Sequence, residues 1–467
     1  MKKVVLLLPF LLAGPAGAQP ELTQHPELAA LAAQVSAARE RETDTRLVAF
    51  GTRHSLSDVN SQTRGIGATR RWVQARFSDL SKACGGCLDI QTPSQTFTGA
   101  RVPRPTEIMD VLAVQRGTTD PGRVIVISAH VDSINGNVVN GQRYADAKGD
   151  APGANDDASG VSAVLEAAHI LSGHKFPATI VYAVLSGEEQ GLYGGRVLAD
   201  YAVAQNWRVE ADLNNDIIGN THGQSGLIDN SHVRVFSEGS RVTESADQAR
   251  ARHSVGGESD SPSRNLARFM QGLGDSYLNG FSVKPIYRPD RFARGGDHLE
   301  MLAQGFPAVR ITEAAENYTR QHQTVREENG IHYGDVLEGV DFDYLAQVTR
   351  LNVVALAAMA LAPAPPTGVS IAGAVTPDTV VSWKPSLDAA SHRVWWRDTT
   401  EPQWRFSKAA TGTSQTLSGI NIDDWFFGVS AVGADGYESP VVYPGASGSY
   451  ERMAPATAPA PFVTAPK

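Results

Sequence analysis

Thr179-Ile180-Val181-Tyr182-Ala183-Val184-Leu185 is an unbroken apolar run, and Ser186-Gly187-Glu188-Glu189-Gln190-Gly191 follows it directly. The run reads as a buried strand. Glu-Glu pairs mostly occupy water-exposed helices, so two carboxylates at the end of a buried strand need a reason. Working outward, Val124-Ile125-Val126-Ile127 is a second such run, and His130-Val131-Asp132 lies just beyond it. Ala211 to Ile217 reads as a third strand and carries Asp216. Val111 to Val114 and Ala308 to Thr312 complete the set. Helical patterns alternate with these runs: Arg70 to Leu80, Gly160 to Leu171 opened by Ser159, Tyr193 to Ala204, and Phe342 to Leu361. Alternating strands and helices predict an α/β fold, a three-layer sandwich with a largely parallel central sheet.

The chain has 467 residues, 42% hydrophobic and 19% charged, enough for one large domain and a smaller one. Its net charge of -9 disfavours a nucleic-acid partner. Lys2-Lys3, the apolar stretch from Val4 to Leu12, and Ala16-Gly17-Ala18 form the three-part pattern of a secretory signal over 1–18. A secreted or periplasmic protein is therefore expected. That apolar stretch is too short to span a bilayer, no other segment reads as transmembrane, and no stable membrane insertion is expected. In an oxidising compartment Cys84 and Cys87 are expected to form a short-loop disulfide.

Residues 19–60 read as an exposed N-terminal stretch, helical from Ala29 to Arg41. The α/β domain is expected over 61–362. Pro363-Ala364-Pro365-Pro366 reads as a proline-stiffened linker. Beyond it, Val380 to Trp383, His392 to Trp396, Thr416-Leu417 and Phe426 to Val432 predict a small all-β sandwich over 367–445, with its aromatic residues in the core. The Ala- and Pro-rich end, 446–467, is expected to be disordered.

In an open α/β sheet, ligands gather outside the carboxyl ends of the strands. His130, Glu188, Glu189 and Asp216 each stand past such an end, and Asn155-Asp156-Asp157-Ala158-Ser159-Gly160 lies between them in sequence. This His/Asp/Glu set suits hard-to-borderline divalent metals, above all zinc. Two ions about 3.5–4 Å apart need a carboxylate that bridges both, and terminal ligands that leave room for a water. Asp132, two residues beyond His130, is placed to accept the spare imidazole N–H and fix the tautomer.

The ordered set is His-x-Asp at 130–132, Asn-Asp-Asp-x-Ser-Gly at 155–160, Glu-Glu-x-Gly at 188–191, then Asp216 and a late His322. With it, residues from about 100 to 325 resemble the secreted, co-catalytic di-zinc aminopeptidases of bacteria. That group is related to glutamate carboxypeptidases and glutaminyl cyclases. The resemblance implies two zinc ions per chain. It implies His130, Asp216 and bridging Asp156 on one, and Glu189, His322 and the same Asp156 on the other. It implies Glu188 as general base, a bond between Asp156 and Asp157 that is often cis in such proteins, and peptide or protein N-termini as substrate. His298, in Gly295-Gly296-Asp297-His298, resembles a segment that supports the site. Several relatives carry a tyrosine just before the final histidine as oxyanion donor. Here Gln321 stands in that place, with Tyr318 as a substitute or a plain surface tyrosine.

Arg288, Arg291 and Arg294 can hold a substrate carboxylate, as in a carboxypeptidase or dipeptidase on the same scaffold, or form a solvated basic loop. A glutaminyl cyclase and a non-catalytic binding protein are the remaining alternatives. The C-terminal sandwich resembles a fibronectin type III module through Trp383, Trp395-Trp396 and the strand from Phe426 to Val432.

Overall fold

The computed structural model describes residues 24–139, 142–144 and 146–455. The expected signal at 1–18 and the last part of the expected tail lie outside them. The main sheet has eight strands: β1 (Asp89–Gln91), β2 (Val111–Gln115), β3 (Asp120–His130), β4 (Ala178–Leu185), β5 (Arg208–Asn215), β6 (His232–Phe236), β7 (Ser282–Ile286) and β8 (Ala308–Glu313). Their order is β1-β2-β4-β3-β5-β8-β6-β7. The middle four are parallel. Ile127 pairs with Tyr182 on one side and Leu213 on the other, and Leu213 pairs with Val309. β2 and β6 join this block antiparallel, beside β4 and β8.

The helices are α1 (Pro26–Ala32), α2 (Ala37–Val48), α3 (Gly65–Ala83), α4 (Ser159–Leu171), α5 (Tyr193–Ala204), α6 (Ala246–Ser254), α7 (Pro262–Tyr277), α8 (His298–Ala303) and α9 (Phe342–Leu361). Successive strand residues face opposite helical layers. Ile125, Ile127, Tyr182 and Val184 enter the core shared with α1 to α4, α7 and α9. Val124, Val126, Val181 and Leu185 enter the core shared with α5 and α8. Burial on both faces is why these strands read as continuous apolar runs. α9 is long and apolar enough to cross a membrane, which the sequence reading missed. It is mostly buried and packs on α1, α2, α4 and α7, as a core helix does.

The N-terminal stretch is not exposed where it is described. Leu28, Leu31, Leu47 and Phe50 are buried, because α1 and α2 turn their apolar faces onto α9 and α4. The single helix expected from Ala29 to Arg41 is two helices. Ser36 starts the second by accepting the Arg39 N–H on its hydroxyl. Cys84 and Cys87 are joined, just past α3.

After α9 come β9 (Thr367–Ala372), β10 (Thr379–Lys384), β11 (Ser391–Asp398), β12 (Phe406–Ala410), β13 (Ser414–Leu417) and β14 (Trp425–Val432). They form two three-stranded sheets, β9-β10-β13 and β12-β11-β14. Val381, Trp383, Val394, Phe427 and Val429 fill the space between them. The proline stretch does not hold this module apart, because Pro363, Pro365 and Pro366 are buried. Arg123 Nη2 donates to the Ala362 carbonyl at 2.7 Å. Asp260 lies 2.7 Å from both Arg268 of α7 and Arg397 of β11.

The described part of the expected disordered tail, 446–455, is anchored to the rest of the molecule. Arg241 donates to the carbonyls of Ser449 and Glu451, and the Met453 N–H to that of Gly305. Tyr450 and Met453 are buried, and that anchoring was hidden by the Ala- and Pro-rich composition around them.

Candidate metal centre

The carboxyl edge of the parallel strands gathers the predicted residues. His130 ends β3, Glu188 and Glu189 lie in the turn after β4, and Asp216 follows β5. Asp156 comes from the turn at 154–158 that opens α4, and His322 from the segment after β8. All six are buried. Five of them, all but Glu188, make two ligand groups, His130–Asp156–Asp216 and Asp156–Glu189–His322. Asp156 belongs to both. Its Oδ1 is 3.2 Å from His130 Nε2, and its Oδ2 is 2.7 Å from His322 Nε2. Asp216 Oδ2 lies 3.8 Å from His130 Nε2, and Glu189 Oε1 lies 2.7 Å from His322 Nε2.

Local folding explains the convergence. Gly187 bends the chain at φ +78°, a value that favours glycine. The Asp132 carboxylate then accepts the N–H groups of Gly187, Glu188 and Glu189 at 2.7, 3.2 and 3.1 Å. Asp132 therefore organises the Glu188–Glu189 turn more than the imidazole. His130 Nδ1 is 3.1 Å from the Asp132 main-chain carbonyl and 3.7 Å from its carboxylate. That corrects the expected imidazole-to-carboxylate contact.

Asp157 ties three elements together by accepting the N–H groups of His130, Gly160 and Ile217. A Cβ on Gly160 would fall 2.5 Å from that carboxylate, so no larger residue fits there without a shift. Asp335 accepts the N–H of Asn155 at 2.8 Å and of Asp156 at 2.7 Å. Fully buried Arg53 donates to the carbonyls of Val131 and Gly153 at 2.6 and 2.8 Å, bracing both ligand loops. The Asp156–Asp157 peptide bond is cis.

The electrostatics call for a cation. With Nδ1 facing a carbonyl, His130 carries its proton there. Its Nε2 then faces two carboxylate oxygens, of Asp156 and Asp216. Burial alone would lower the His130 pKa, yet Asp132, Asp156 and Asp216 raise it well above its ordinary value. Burial works to raise Asp156, but His322 and His130 hold it well below the carboxylate range. Imidazole nitrogens and carboxylate oxygens converging in this way fit a pair of divalent ions with Asp156 between them.

The neighbouring candidates sort differently. His298 Nε2 sits 2.8 Å from the Pro289 carbonyl and 3.8 Å from Asp290, outside both ligand groups. Tyr318 is 56% exposed, which puts it on the surface. Gln321 accepts from Arg294 and donates to Glu316, both at 3.2 Å. Arg291 is buried and Arg294 half-buried, whereas Arg288 is exposed, so only part of the loop is solvated. Glu316 faces Arg234, Arg294 and Arg291 at 2.6, 2.8 and 3.7 Å. Burial would raise the Glu316 pKa, but these arginines bring it down to about 2.

The sequence profile of peptidase family M28 matches residues 110–336. A probable zinc metalloprotease of Pyrenophora tritici-repentis (strain Pt-1C-BFP) is 41% identical over 424 residues, 90% of this chain and 86% of that protein. The chain belongs to peptidase family M28. A probable zinc metalloprotease of Leptosphaeria maculans is 40% identical over 90% of this chain and 96% of its own length. These relatives are fungal, whereas the motif order resembles bacterial enzymes. Among solved structures, LapB from Legionella pneumophila shares the fold with a TM-score of 0.51 at 18% identity, over 73% of this chain and 76% of that one.

Four buried residues that shape this M28 site escaped the sequence reading: Arg53, Arg310, Glu313 and Asp335. Glu313 ends β8 and accepts from Asn155 Nδ2 and the Asn220 N–H. The rule that singled out Glu188 and Asp216, a carboxylate at a strand's carboxyl end, would also have found it. Arg53 and Asp335 lie in loops with no such signal.

Proposed function

We propose that this M28 protein is a secreted aminopeptidase that binds two zinc ions and uses Glu188 as general base. The observation that carries this reading is Asp156, whose two oxygens point to different histidines. The curated relatives' name, probable zinc metalloprotease, and the imidazole–carboxylate donor set both favour zinc. Export rests on the Lys2-Lys3, Val4-to-Leu12, Ala16-Gly17-Ala18 pattern. The two-sheet C-terminal module is read as fibronectin type III-like, from its strand spacing and buried Trp383 and Phe427.

Zinc bound here supplies Lewis acidity toward a water and the scissile carbonyl. Glu188, buried beside the ligands, takes the proton from the attacking water and returns it to the leaving amine. Asp297 stands within reach of the Glu188 charge. Burial first, and Glu188 second, push its carboxyl pKa well above the ordinary range. The turn held by Asp132 keeps Glu188 and Glu189 in separate tasks. A substrate's free amino terminus is cationic and suits this acid-rich edge. Arg291 and Arg294, which a carboxypeptidase would use for a substrate carboxylate, already face Glu316.

The test compares an aminoacyl p-nitroanilide with its N-acetylated form, using zinc-loaded protein. The free-amine substrate is cleaved and the blocked one is not. Release of C-terminal residues from an N-blocked peptide would turn the reading toward a carboxypeptidase. Glu188→Gln lowers turnover by roughly 10²–10⁴ while both zinc ions remain. Parent-level turnover in that variant would remove Glu188 from the chemistry.

A further inference from the structure

We propose that Arg101 gives this site a carboxylate-binding position on the side where the leaving group departs. The favoured substrates are then peptides with a carboxylate on the second residue, either the C-terminus of a dipeptide or an Asp or Glu side chain. The inference rests on the aminopeptidase reading above and names its substrate class. Arg101 lies at the tip of an antiparallel hairpin outside the main sheet, Ser94–Gly99 and Val102–Met109. Three contacts fix that hairpin beside the site. Phe97 stacks on Tyr193 of α5, with ring centroids 4.3 Å apart. Gln95 Nε2 donates to Asp200 of α5 at 3.0 Å. Ile108 closes on the Gly187 bend, where a Cβ would fall 3.0 Å from its side chain. From the tip, Arg101 Nη1 donates to the Glu189 main-chain carbonyl at 2.9 Å.

The chemistry decides which end of a substrate meets this arginine. Glu188 and Glu189 share one turn, and Glu188 returns the proton to the leaving amine. The leaving residue therefore passes beside the turn on which the guanidinium rests. A carboxylate on that residue stands a few covalent bonds from the amine, within reach of a long side chain. Arg101 is exposed, and among the described residues it forms no ion pair with a carboxylate. Glu189 engages one of its N–H groups, and the planar fork leaves others for a bidentate contact. Arg291 and Arg294 are already engaged by Glu316, and Arg310 by Asp216 and Asp290. With the acid-rich edge for the amine and Arg101 for the carboxylate, the site has a charge for each end of a dipeptide zwitterion. The contact lies away from the reacting atoms. It holds ground state and transition state alike and acts mainly on KM.

Steady-state kinetics of zinc-loaded, full-length protein on matched substrates test this. One pair is leucyl-glycine and leucyl-glycinamide, which differ in the C-terminal carboxylate. The other is leucyl-aspartyl amide and leucyl-asparaginyl amide, which differ in the side-chain carboxylate. In at least one pair the carboxylate form is expected to have a kcat/KM about tenfold higher, the scale of one hydrogen bond to a charged group, carried mostly by KM. A preference in the first pair alone makes the dipeptide C-terminus the source, and in the second alone an acidic second residue. Arg101→Gln makes the members of the favoured pair nearly equal. Arg101→Lys, which keeps the charge without the planar fork, retains part of the preference and decides if the glutamine variant does not fold. Equal kcat/KM within both pairs in the parent overturns the inference and leaves the aminopeptidase reading standing. So does a preference that survives undiminished in Arg101→Gln. Cleavage of N-acetyl-leucyl-glycine as fast as the free dipeptide overturns the aminopeptidase reading, while a carboxylate preference that depends on Arg101 still supports the inference. No cleavage of any free-amine peptide overturns both.

Discussion

Two buried, charged regions of this molecule are built on opposite terms. At the carboxyl edge of the sheet, Asp156, Glu189 and Asp216 crowd around two histidines. At the seam between the α/β fold and the C-terminal β module, Asp260 sits between Arg268 and Arg397, and Glu210 faces Arg123 at 3.3 Å. Arg241 places its donors on the carbonyls of Gly305, Ser449 and Glu451. In the seam each of these charges meets its partner within the chain, and the two parts are fastened together. At the sheet edge, three carboxylates crowd around two histidines, and the set suits a bound cation. Such packing costs stability, so it is tolerated where function requires it.

The sharpest way to break this contrast is Asp156→Ala. Both ions and all hydrolysis should be lost, because one carboxylate serves both groups. The metal-free variant should also melt below metal-free parent protein at neutral pH, since both histidines lose the carboxylate they face. Elemental analysis and thermal melts in chelator check both halves. A variant that keeps one ion would break the shared-carboxylate reading, and one that melts at or above metal-free parent protein would show that the histidines do not hold Asp156.

Ending the chain at Leu361 tests the other region. A proline linker suggests a separable module, but the seam predicts that this truncation fails to fold. Asp260 and Arg268 would lose Arg397, and Arg241 its tail carbonyls. Breaking a buried pair costs about 3–5 kcal/mol, a large part of the roughly 5–15 kcal/mol that holds a domain together. Soluble yield and a cooperative melt are the readouts. A soluble, active truncation would reduce the seam to a passive contact.

The same contrast explains what could be read from the sequence. His130, Glu188, Glu189 and Asp216 were legible because they hang on the ends of apolar strands, and a local pattern fixes where a strand ends; Asp156 and His322, on a turn and a loop, were legible only from the motif order. The parallel sheet was legible for the same reason. Arg310 was not, because it sits within a strand and gains meaning only from Asp216, just past the end of the neighbouring strand. The seam was illegible altogether. Arg397 and Asp260 are 137 residues apart, and no periodicity links them. The tail at Tyr450 and Met453 failed likewise, since composition reports on a segment's solubility and not on the groove it enters.

Within the seam, Arg397→Met is the milder probe. Asp260 keeps Arg268, so the loss should be about 2 kcal/mol, near the value of one hydrogen bond to a charged group. Urea unfolding measures it, with metal content and specific activity unchanged. Altered activity at normal stability would mean that the seam reaches the site, through Tyr287, whose hydroxyl donates to the Pro402 carbonyl.

Glu40 offers the smallest effect and a third way to hold a buried carboxyl. It lies on α2 with no exposed surface, and Thr349 Oγ1 donates to its Oε1 at 2.5 Å. Burial pushes its pKa up to about 8, with the Thr349 bond working against that rise. Among the described residues no metal group includes it, so a proton takes the part that arginine plays in the seam. The sign follows from linkage. The unfolded chain releases this proton near the ordinary glutamate value, about 4.3, while the folded chain keeps it to about 8. Over that window the folded state binds more protons, so stability is greatest below the window and falls as pH rises. The slope from this one group is no more than about 1.4 kcal/mol per pH unit. Glu40→Gln keeps the shape and cannot titrate, so its stability should fall less steeply than the parent's across that range. Urea unfolding of both proteins at several pH values, in chelator to exclude metal linkage, gives the difference directly. Parallel curves would mean that Glu40 is ionised in the fold, and a buried anion with neither metal nor proton would then have to draw on the nearby arginines, Arg39 and Arg350, as the seam carboxylates do.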